Sequence, residues 1–594
     1  MKHGFWAAFA ARGLLILLLF VVFVAAVFIA GASLHDPDTC WLLALGKRIV
    51  EGSALPHSDP YSYTMALFPE RKFILYQWLT EVLFYLSYKA MDLTGLLLLA
   101  ATVLTAAFVS LPLSFARKIG MPGTFAVVGT ILTLMTAFFH FLCRPEIFSY
   151  LLLVVYISMT HYLLRGRKNE KINFPAVTAF GAVMLLWCNL HSAFVLGLLY
   201  LFVFTLVTTL ADFIADKRLS AQNQTIILCF VVAFLCTFTN PYGVGLWQYL
   251  PTLFFTPLNK HILELRPIAG KDFLEWTYYP FFILLGSTLL FTARALKAKI
   301  NPALVGSPRG QVVFAAIAII CWGIAGFCSR RLIPFAAVHM FAEGGYLLAL
   351  LRAKSEADRA SNQVRQLEAE QDSAGQDSAE QDGAKQDGEE QEGAKHDSAK
   401  QDGAKQDSAQ SFWQTVDRKL DASYQPQGFM WFATIAVLAG IGVYFVSSRI
   451  PEAVVLPQSG GAFKAPFKAI EAIGKAKPQG NLFNHPQFGD VMIWKMPEPP
   501  KLFIDTRFDM YGAEIVDNYQ TLYAAKPGWE HLMQRYKIAW IFVQPDAPIA
   551  KKLLAKQGWT VLYEDKASVV LQNSSALKLN SSNSSKSQKS VAEE

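Results

Sequence analysis

Apolar residues run along this chain in long blocks, with polar positions gathered between them and no alternation of the kind that marks half-buried strands. A bilayer core about 30 Å thick takes roughly 17–25 apolar residues per crossing helix, and blocks near that length recur. They predict spans at 14–33, 93–115, 125–143, 147–164, 176–190, 193–210, 225–239, 279–295, 312–328, 332–351 and 430–447. That makes about eleven helices. The first block follows Lys2 and Arg12 much as a signal peptide would, but it is longer than the usual apolar core of one, and no clear cleavage site precedes His35.

The pattern breaks in two places. Between 354 and 411 the chain turns to repeats of an AKQDG type with almost no apolar residues. Such a segment cannot bury enough surface to offset chain entropy, which predicts a disordered cytoplasmic insert, with a charged solvated helix as the alternative. After the last span, 451–572 reads as a small α/β domain, with strands at 501–504 and 540–543, helices at 519–536 and 548–556, and a closing hairpin at 559–571. The Ser/Asn/Lys tail, 573–594, is too polar to pack. The expected organisation is a membrane domain at 1–353 with a long first loop at 34–92, the insert at 354–411, a final span within 412–450, the α/β domain at 451–572 and the tail.

Composition agrees with lipid as the main solvent. Charged residues make up 17% of the chain and hydrophobic residues 53%, where soluble domains are roughly a quarter charged. Seven Cys with no CxxC spacing exclude a disulfide framework and a Cys-based metal site. The net charge of +7 does not point to nucleic acid. Its placement is more informative, because short loops rich in Lys and Arg stay in the cytoplasm. With the N-terminus inside, Arg117-Lys118, the basic residues of 165–171, Lys217-Arg218 and the basic residues of 294–299 and 352–354 all fall inside. The expected setting is therefore a cell inner (plasma) membrane, crossed many times, with the N-terminus in the cytoplasm and the α/β domain outside.

This topology leaves the chemically suggestive clusters on the outer face. Asp36 and Asp38 flank Pro37 directly after the first span, and the same loop supplies His57, Asp59 and Glu81. Solvated loop acids, or a cap on a helix expected at 39–50, are the simpler reading of a lone Asp-x-Asp. Arg144, Arg330 and Arg331 sit at helix ends where positive charge opposes the orientation signal. They are either snorkelling cations or, because the guanidinium fork suits it, ligands for a lipid phosphate. Asn189 and His191 occupy a turn between two spans. In the outer domain Asp505, Arg507 and Asp509 follow the expected strand at 501–504, either as an internal pair fixing a loop or as ligand-facing groups at the strand's C-terminal end.

Together these residues carry a resemblance. A first span ending in an acidic motif, a long first loop with interfacial helices, a helix at 76–91 leading into a span that ends in Arg117-Lys118, and a later outer domain resemble the GT-C class of membrane glycosyltransferases. That class includes the protein O-mannosyltransferases and the aminoarabinose transferases of lipid A. More closely, the chain is similar to a family of bacterial multi-spanning proteins that shares Asp36-Pro37-Asp38-Thr39-Cys40-Trp41, Trp78-Leu79-Thr80-Glu81, Arg144-Pro145, Asn189-Leu190-His191, Asn240-Pro241-Tyr242-Gly243 and Arg330-Arg331. The likeness continues through Phe488-Gly489-Asp490, Asp505-Thr506-Arg507-Phe508-Asp509-Met510-Tyr511-Gly512 and Pro527-Gly528-Trp529.

The resemblance implies a mostly α, polytopic GT-C-like enzyme with a small extracytoplasmic α/β domain. It implies an inverting transfer of a sugar from a polyprenyl-phosphate carrier to an envelope glycan, lipid or protein acceptor on the outer face. An Asp would deprotonate the acceptor while Arg steadies the departing phosphate. Asp36 is assigned as the base, although Asp36-Pro37-Asp38 stands where the class has adjacent acids. Asp38, His57, Asp59 or Glu81 would hold the acceptor or a metal. Some members use a divalent cation and others do not; oxygen donors would favour Mg²⁺ or Mn²⁺. A transporter or flippase of a lipid-linked or polar envelope substrate, or a non-enzymatic envelope-assembly protein, is the alternative.

Overall fold

The computed structural model describes residues 37–52, 54–163, 171–254, 263–298, 310–380 and 465–573. Asp36, the spans expected at 14–33 and 430–447, the insert beyond Glu380 and the tail beyond Asn573 lie outside the described residues.

The helical part begins with α1 (Asp38–Gly52), α2 (Trp78–Lys118) and α3 (Gly123–His140). It continues through α4 (Glu146–Leu163), α5 (Phe174–Leu190), α6 (Phe194–Asp216), α7 (Ala221–Cys236) and α8 (Val244–Phe254). It closes with α9 (Trp276–Lys297), α10 (Gln311–Cys328) and α11 (Ile333–Glu380). Among the described residues, six helical stretches are long and apolar enough to cross a membrane, namely α2, α3, α6, α9, α10 and Arg330–Gln366, and α4, α5 and α7 are shorter apolar helices. Threonines inside the bundle return their hydroxyls to the carbonyl four residues back, as Thr130 and Thr205 do at 2.6 and 2.7 Å. This satisfies a donor for which lipid offers no partner.

Two features of the first loop place the site. Helix α2 loses helical geometry at Met91 (φ −148°, ψ 29°) and Asp92 (φ 49°, ψ −145°), which separates its first turns from the span proper. Helix α1 crosses those first turns at Gly46, where a Cβ would sit 2.0 Å from the Glu81 carbonyl oxygen. Only glycine permits that approach. The sequence predicts an interfacial helix here; instead Thr39–Gly46 is buried, packed on α2 and on a helix of the C-terminal domain.

That domain comprises α12 (Phe467–Ala476), β1 (Asn481–Asn484), α13 (Pro486–Lys495), α14 (Phe508–Tyr523), α15 (Trp529–Arg535), β2 (Ile538–Val543), α16 (Pro548–Leu554), β3 (Trp559–Glu564) and β4 (Val569–Asn573). The sheet order is β1-β2-β4-β3, with β1 and β2 parallel and the other pairs antiparallel. All of β2 is buried, as its unbroken apolar run requires. The helix expected at 519–536 is two helices, α14 and α15, separated at Pro527-Gly528 with Gly528 at φ 92°. The strand expected at 501–504 reduces to one bridge, Leu502 to Ser62 of the first loop. Tyr63 N donates to the Leu502 carbonyl at 3.1 Å, Leu502 N to the Tyr61 carbonyl at 2.8 Å, and Thr64 Oγ1 to the Phe503 carbonyl at 2.6 Å. The first loop thus docks along the domain through backbone hydrogen bonds. At the other boundary, α11 runs past Lys354 to Glu380, so the first part of the repeat region takes the helical alternative.

Candidate active site

Asp38 opens α1, and its carboxylate is held from two sides. The Arg144 guanidinium, ahead of α4, lies 3.3 Å from Oδ2, and Thr506 Oγ1 of the C-terminal domain donates to Oδ1 at 2.5 Å. Arg144 also reaches Glu264 Oε2 at 3.0 Å. Next to this pair Arg331, on the turn between α10 and α11, forms a close ion pair with Glu146 in the first turn of α4. Segments far apart in sequence therefore converge on one cavity of about 600 Å³, whose charged and polar walls are Asp38, Arg144, Glu146, His191, Glu264, Arg331, Thr506, Arg507 and Asp509 among others.

A second set of charges fixes the wall contributed by the C-terminal domain. Arg507 Nε and Nη2 donate to Asp505 at 2.9 and 2.6 Å, and Nη2 is 2.9 Å from Asp59 of the first loop. Asp505 also accepts from Tyr511 Oη at 2.8 Å, and Asp59 from the Ser62 amide at 2.7 Å. Charges this deeply buried persist only when paired, and Arg507 is paired with both acids, although its Nη1 has no hydrogen-bond partner. Burial opposes the Arg507 charge, but Asp505 and Asp59 outweigh it and hold its pKa well above the usual value. Burial likewise pushes the Asp59 carboxyl above its ordinary range, against the pull of Arg507. Asp509 accepts from Tyr249 Oη at 2.9 Å, and burial raises its pKa too.

The remaining residues singled out in the sequence are placed as follows. Glu81 is fully buried, with no hydrogen-bond partner at either oxygen, beside Arg507 and Asp509 in a smaller recess. His191 lines the cavity and shares a 2.9 Å hydrogen bond with Ser149 Oγ. Asn189 accepts from Trp78 Nε1 at 2.9 Å and donates to the Leu185 and Thr239 carbonyls, so it fastens a turn. Arg330 turns from the cavity to Asp272 at 2.5 Å, and His57 is exposed and outside the lining. Asp36 lies outside the described residues.

Glu146, Glu264, Thr506 and Tyr249 were not singled out. Glu146 and Glu264 sit in polar clusters that the sequence does show, whereas a Thr after an Asp or a Tyr in an apolar helix carries no signal of its own. Among the described residues no group of three His, Cys, Asp or Glu side chains is placed to hold a metal ion. Around the cavity, Asp38, Glu146 and Glu264 are instead engaged by guanidinium groups.

No protein-family model matches the chain, and no curated protein matches it in sequence. Solved structures do match its fold. The Archaeoglobus fulgidus oligosaccharyltransferase in the apo form is 10% identical with a TM-score of 0.50, over 89% of this chain and 69% of that one. The archaeal oligosaccharyltransferase AglB from Archaeoglobus fulgidus, in complex with an inhibitory peptide and a dolichol-phosphate, is 11% identical with a TM-score of 0.52, over 90% and 69%. ArnT from Cupriavidus metallidurans in the apo state is 14% identical with a TM-score of 0.47, over 96% and 99%. At such identities the likeness is one of fold: the chain is a polytopic α-helical membrane protein that shares the fold of these oligosaccharyltransferase structures and carries a small α/β domain.

Proposed function

We propose that this protein is an integral-membrane glycosyltransferase that moves a sugar from a polyprenyl-phosphate carrier to an envelope glycan, lipid or protein on the outer face of the inner membrane. The observation that carries the reading is the convergence of Asp38, Arg144 and Arg331 on one cavity of about 600 Å³ capped by the C-terminal domain. That volume is in the range of small-molecule sites. It offers acid and guanidinium groups side by side, as the chemistry requires.

In this reading Arg144 and Arg331 take the phosphate oxygens, exchanging carboxylate partners for the lipid phosphate. An acid of the Asp36-Pro37-Asp38 motif removes the acceptor hydroxyl proton. The hydroxyl oxygen attacks the anomeric carbon from the face opposite the phosphate, the carbon–oxygen bond to phosphate breaks, and configuration inverts. Negative charge grows on the leaving phosphate, so guanidinium groups fixed beside it stabilise the transition state more than the ground state. Arg507, held by Asp505 and Asp59, gives the acceptor side a rigid wall.

The test is binding of undecaprenyl phosphate to the purified full-length protein in detergent, followed by calorimetry. Arg144→Ala and Arg331→Ala should each weaken binding roughly tenfold or more, the loss of a charge-assisted contact of about 1.5–3 kcal/mol. Unchanged affinity in both variants would count decisively against this cavity as the phosphate site.

A further inference from the structure

His191 caps the C-terminal end of α5, in the turn that leads into α6, and it lines the cavity. Its side-chain hydrogen bonds within the described residues all fall on one ring nitrogen. Ala193 N donates to Nδ1 at 3.3 Å, and Ser149 Oγ lies 2.9 Å from the same atom. A backbone N–H cannot accept, so Nδ1 must present its lone pair. Ser149 agrees with this. Its oxygen already accepts from Trp187 Nε1 at 2.8 Å, a group that only donates, which leaves the Ser149 proton free to go to Nδ1.

With Nδ1 an acceptor, the neutral ring carries its proton on Nε2, the nitrogen left for the cavity. A second proton would set an Nδ1–H against the Ala193 N–H. Burial opposes the charged ring as well, and pushes the His191 pKa down to about 3. His191 is therefore an uncharged donor of fixed sense, and its Nε2 cannot take a proton from an acceptor hydroxyl. Its anchorage states which oxygen it meets. Ser149 lies three residues after Glu146 on α4, so the two share one face of that helix. Glu146 holds Arg331, and Arg144 stands just ahead of the same helix. The ring is thus fixed one turn along α4 from the guanidinium groups.

We propose that His191 is a phosphate-binding residue, giving a neutral hydrogen bond from Nε2 to a phosphate oxygen of the lipid carrier beside Arg331. The inference rests on the transferase reading and deepens it, adding an uncharged donor to the two guanidinium groups. As the phosphate departs it gains negative charge, and a hydrogen bond to it strengthens without any proton changing hands.

The experiment measures undecaprenyl phosphate binding to the purified full-length protein in detergent, for wild type, His191→Asn and His191→Gln. Asn places an amide oxygen near the Nδ1 position and nothing at that of Nε2, whereas Gln reaches the Nε2 position with an N–H. Asn should weaken binding roughly tenfold or more, the loss of a hydrogen bond to a charged group, and Gln should restore it to within about threefold of wild type. The probe carries no sugar, so an effect on it belongs to the phosphate. Were His191 only a fastener of the turn, the order would reverse, with Asn the better replacement. Unchanged affinity in His191→Asn, or equal loss in both variants, overturns the proposal. Nitrogen-15 NMR of the histidine-labelled wild type is independent of how the variants fold. The resonances lost in His191→Gln should show a bare Nδ1 and a protonated Nε2 whose proton signal moves when undecaprenyl phosphate is added. An Nδ1–H ring, an imidazolium, or an Nε2–H signal unmoved at saturation would also overturn it. Absence of undecaprenyl phosphate binding in wild type strikes at the transferase reading itself. Binding that weakens in Arg144→Ala and Arg331→Ala but not in His191→Asn leaves that reading standing and removes this one.

Discussion

Arg144 serves two carboxylates at once, Asp38 at 3.3 Å and Glu264 at 3.0 Å. A lipid phosphate that binds this guanidinium must compete with Asp38, and a carboxylate displaced from its cation becomes a better base. Under the proposed function, and with Asp38 as the acid of the Asp36-Pro37-Asp38 motif that takes the acceptor proton, phosphate binding and base activation would be coupled through one side chain. Asp38→Asn removes the competitor while keeping a group that Thr506 can bond, so it should tighten undecaprenyl phosphate binding by roughly three- to tenfold, up to about 1.4 kcal/mol, while abolishing transfer. Weaker binding in Asp38→Asn, read by the same calorimetry, would show that Asp38 supports the phosphate rather than competing for its cation. Arg144 and Arg331 were legible in the sequence because positive charge at those helix ends opposes the orientation rule, and Asp38 because it belongs to an Asp-x-Asp motif directly after the first expected span. Their pairing with Glu264 and Glu146 was not, since which of several nearby acids meets a given Arg is decided by helix packing. The Asp505–Arg507 pair was visible as spacing; Asp59, from a loop more than four hundred residues earlier in the chain, supplies the part that spacing cannot show.

At the scale of elements, the first loop and the C-terminal domain behave as one packed piece. Leu502 bonds the loop through both its amide and its carbonyl, and Arg71 donates to the Tyr511 carbonyl. This explains why two sequence expectations failed together. The run at 501–504 is apolar enough for a strand, but its partner is the first loop rather than the sheet. Helix α1 likewise buries Thr39–Gly46 against α2 and α13. Neither outcome is encoded locally. The same junction buries Asp490, and burial, then the nearby Asp505 charge, raises its pKa well above the ordinary value of 3.8. A carboxyl raised in the folded state holds its proton more tightly there than when unfolded. Its stabilising contribution is complete below about 3.8 and is lost as pH rises through the folded value. Protection of the Phe503 and Ile504 amides, measured by hydrogen exchange corrected for intrinsic rate, should therefore decline from mildly acidic to alkaline pH. Asp490→Asn should flatten that decline. An unaltered profile in the variant would place the pH dependence elsewhere.

On the scale of the whole molecule, the helical bundle presents two unlike ends. One carries the cavity and the α/β domain, so that the acidic motif, the arginines ahead of α4 and after α10, and the docked loop are gathered together. Helices α2 and α9 finish instead with Arg117-Lys118 and with Arg294 and Lys297, and α11 carries the repeat region away as a polar extension. In the orientation proposed from the charge rule for short loops, the basic end would face the cytoplasm and the cavity outward. This matters chemically, because an outward cavity meets carrier lipids and envelope acceptors on the same side, whereas an inward one would meet cytoplasmic substrates. Between 93 and 351 the positions and order of the apolar helices were readable because lipid demands long apolar runs; the shape of the cavity was not, because it depends on how those helices pack. Single-cysteine variants in intact cells decide the orientation. Cys321 and Cys328 are exposed and must first be replaced by Ser, together with the other five native cysteines. In that background Lys566→Cys, in an exposed turn of the α/β domain, should react with a membrane-impermeant maleimide. Ser373→Cys, on the extension of α11, should react only after the cells are opened. Labelling of Ser373→Cys in intact cells, with Lys566→Cys silent, would invert the topology and direct the search for substrates to the cytoplasm.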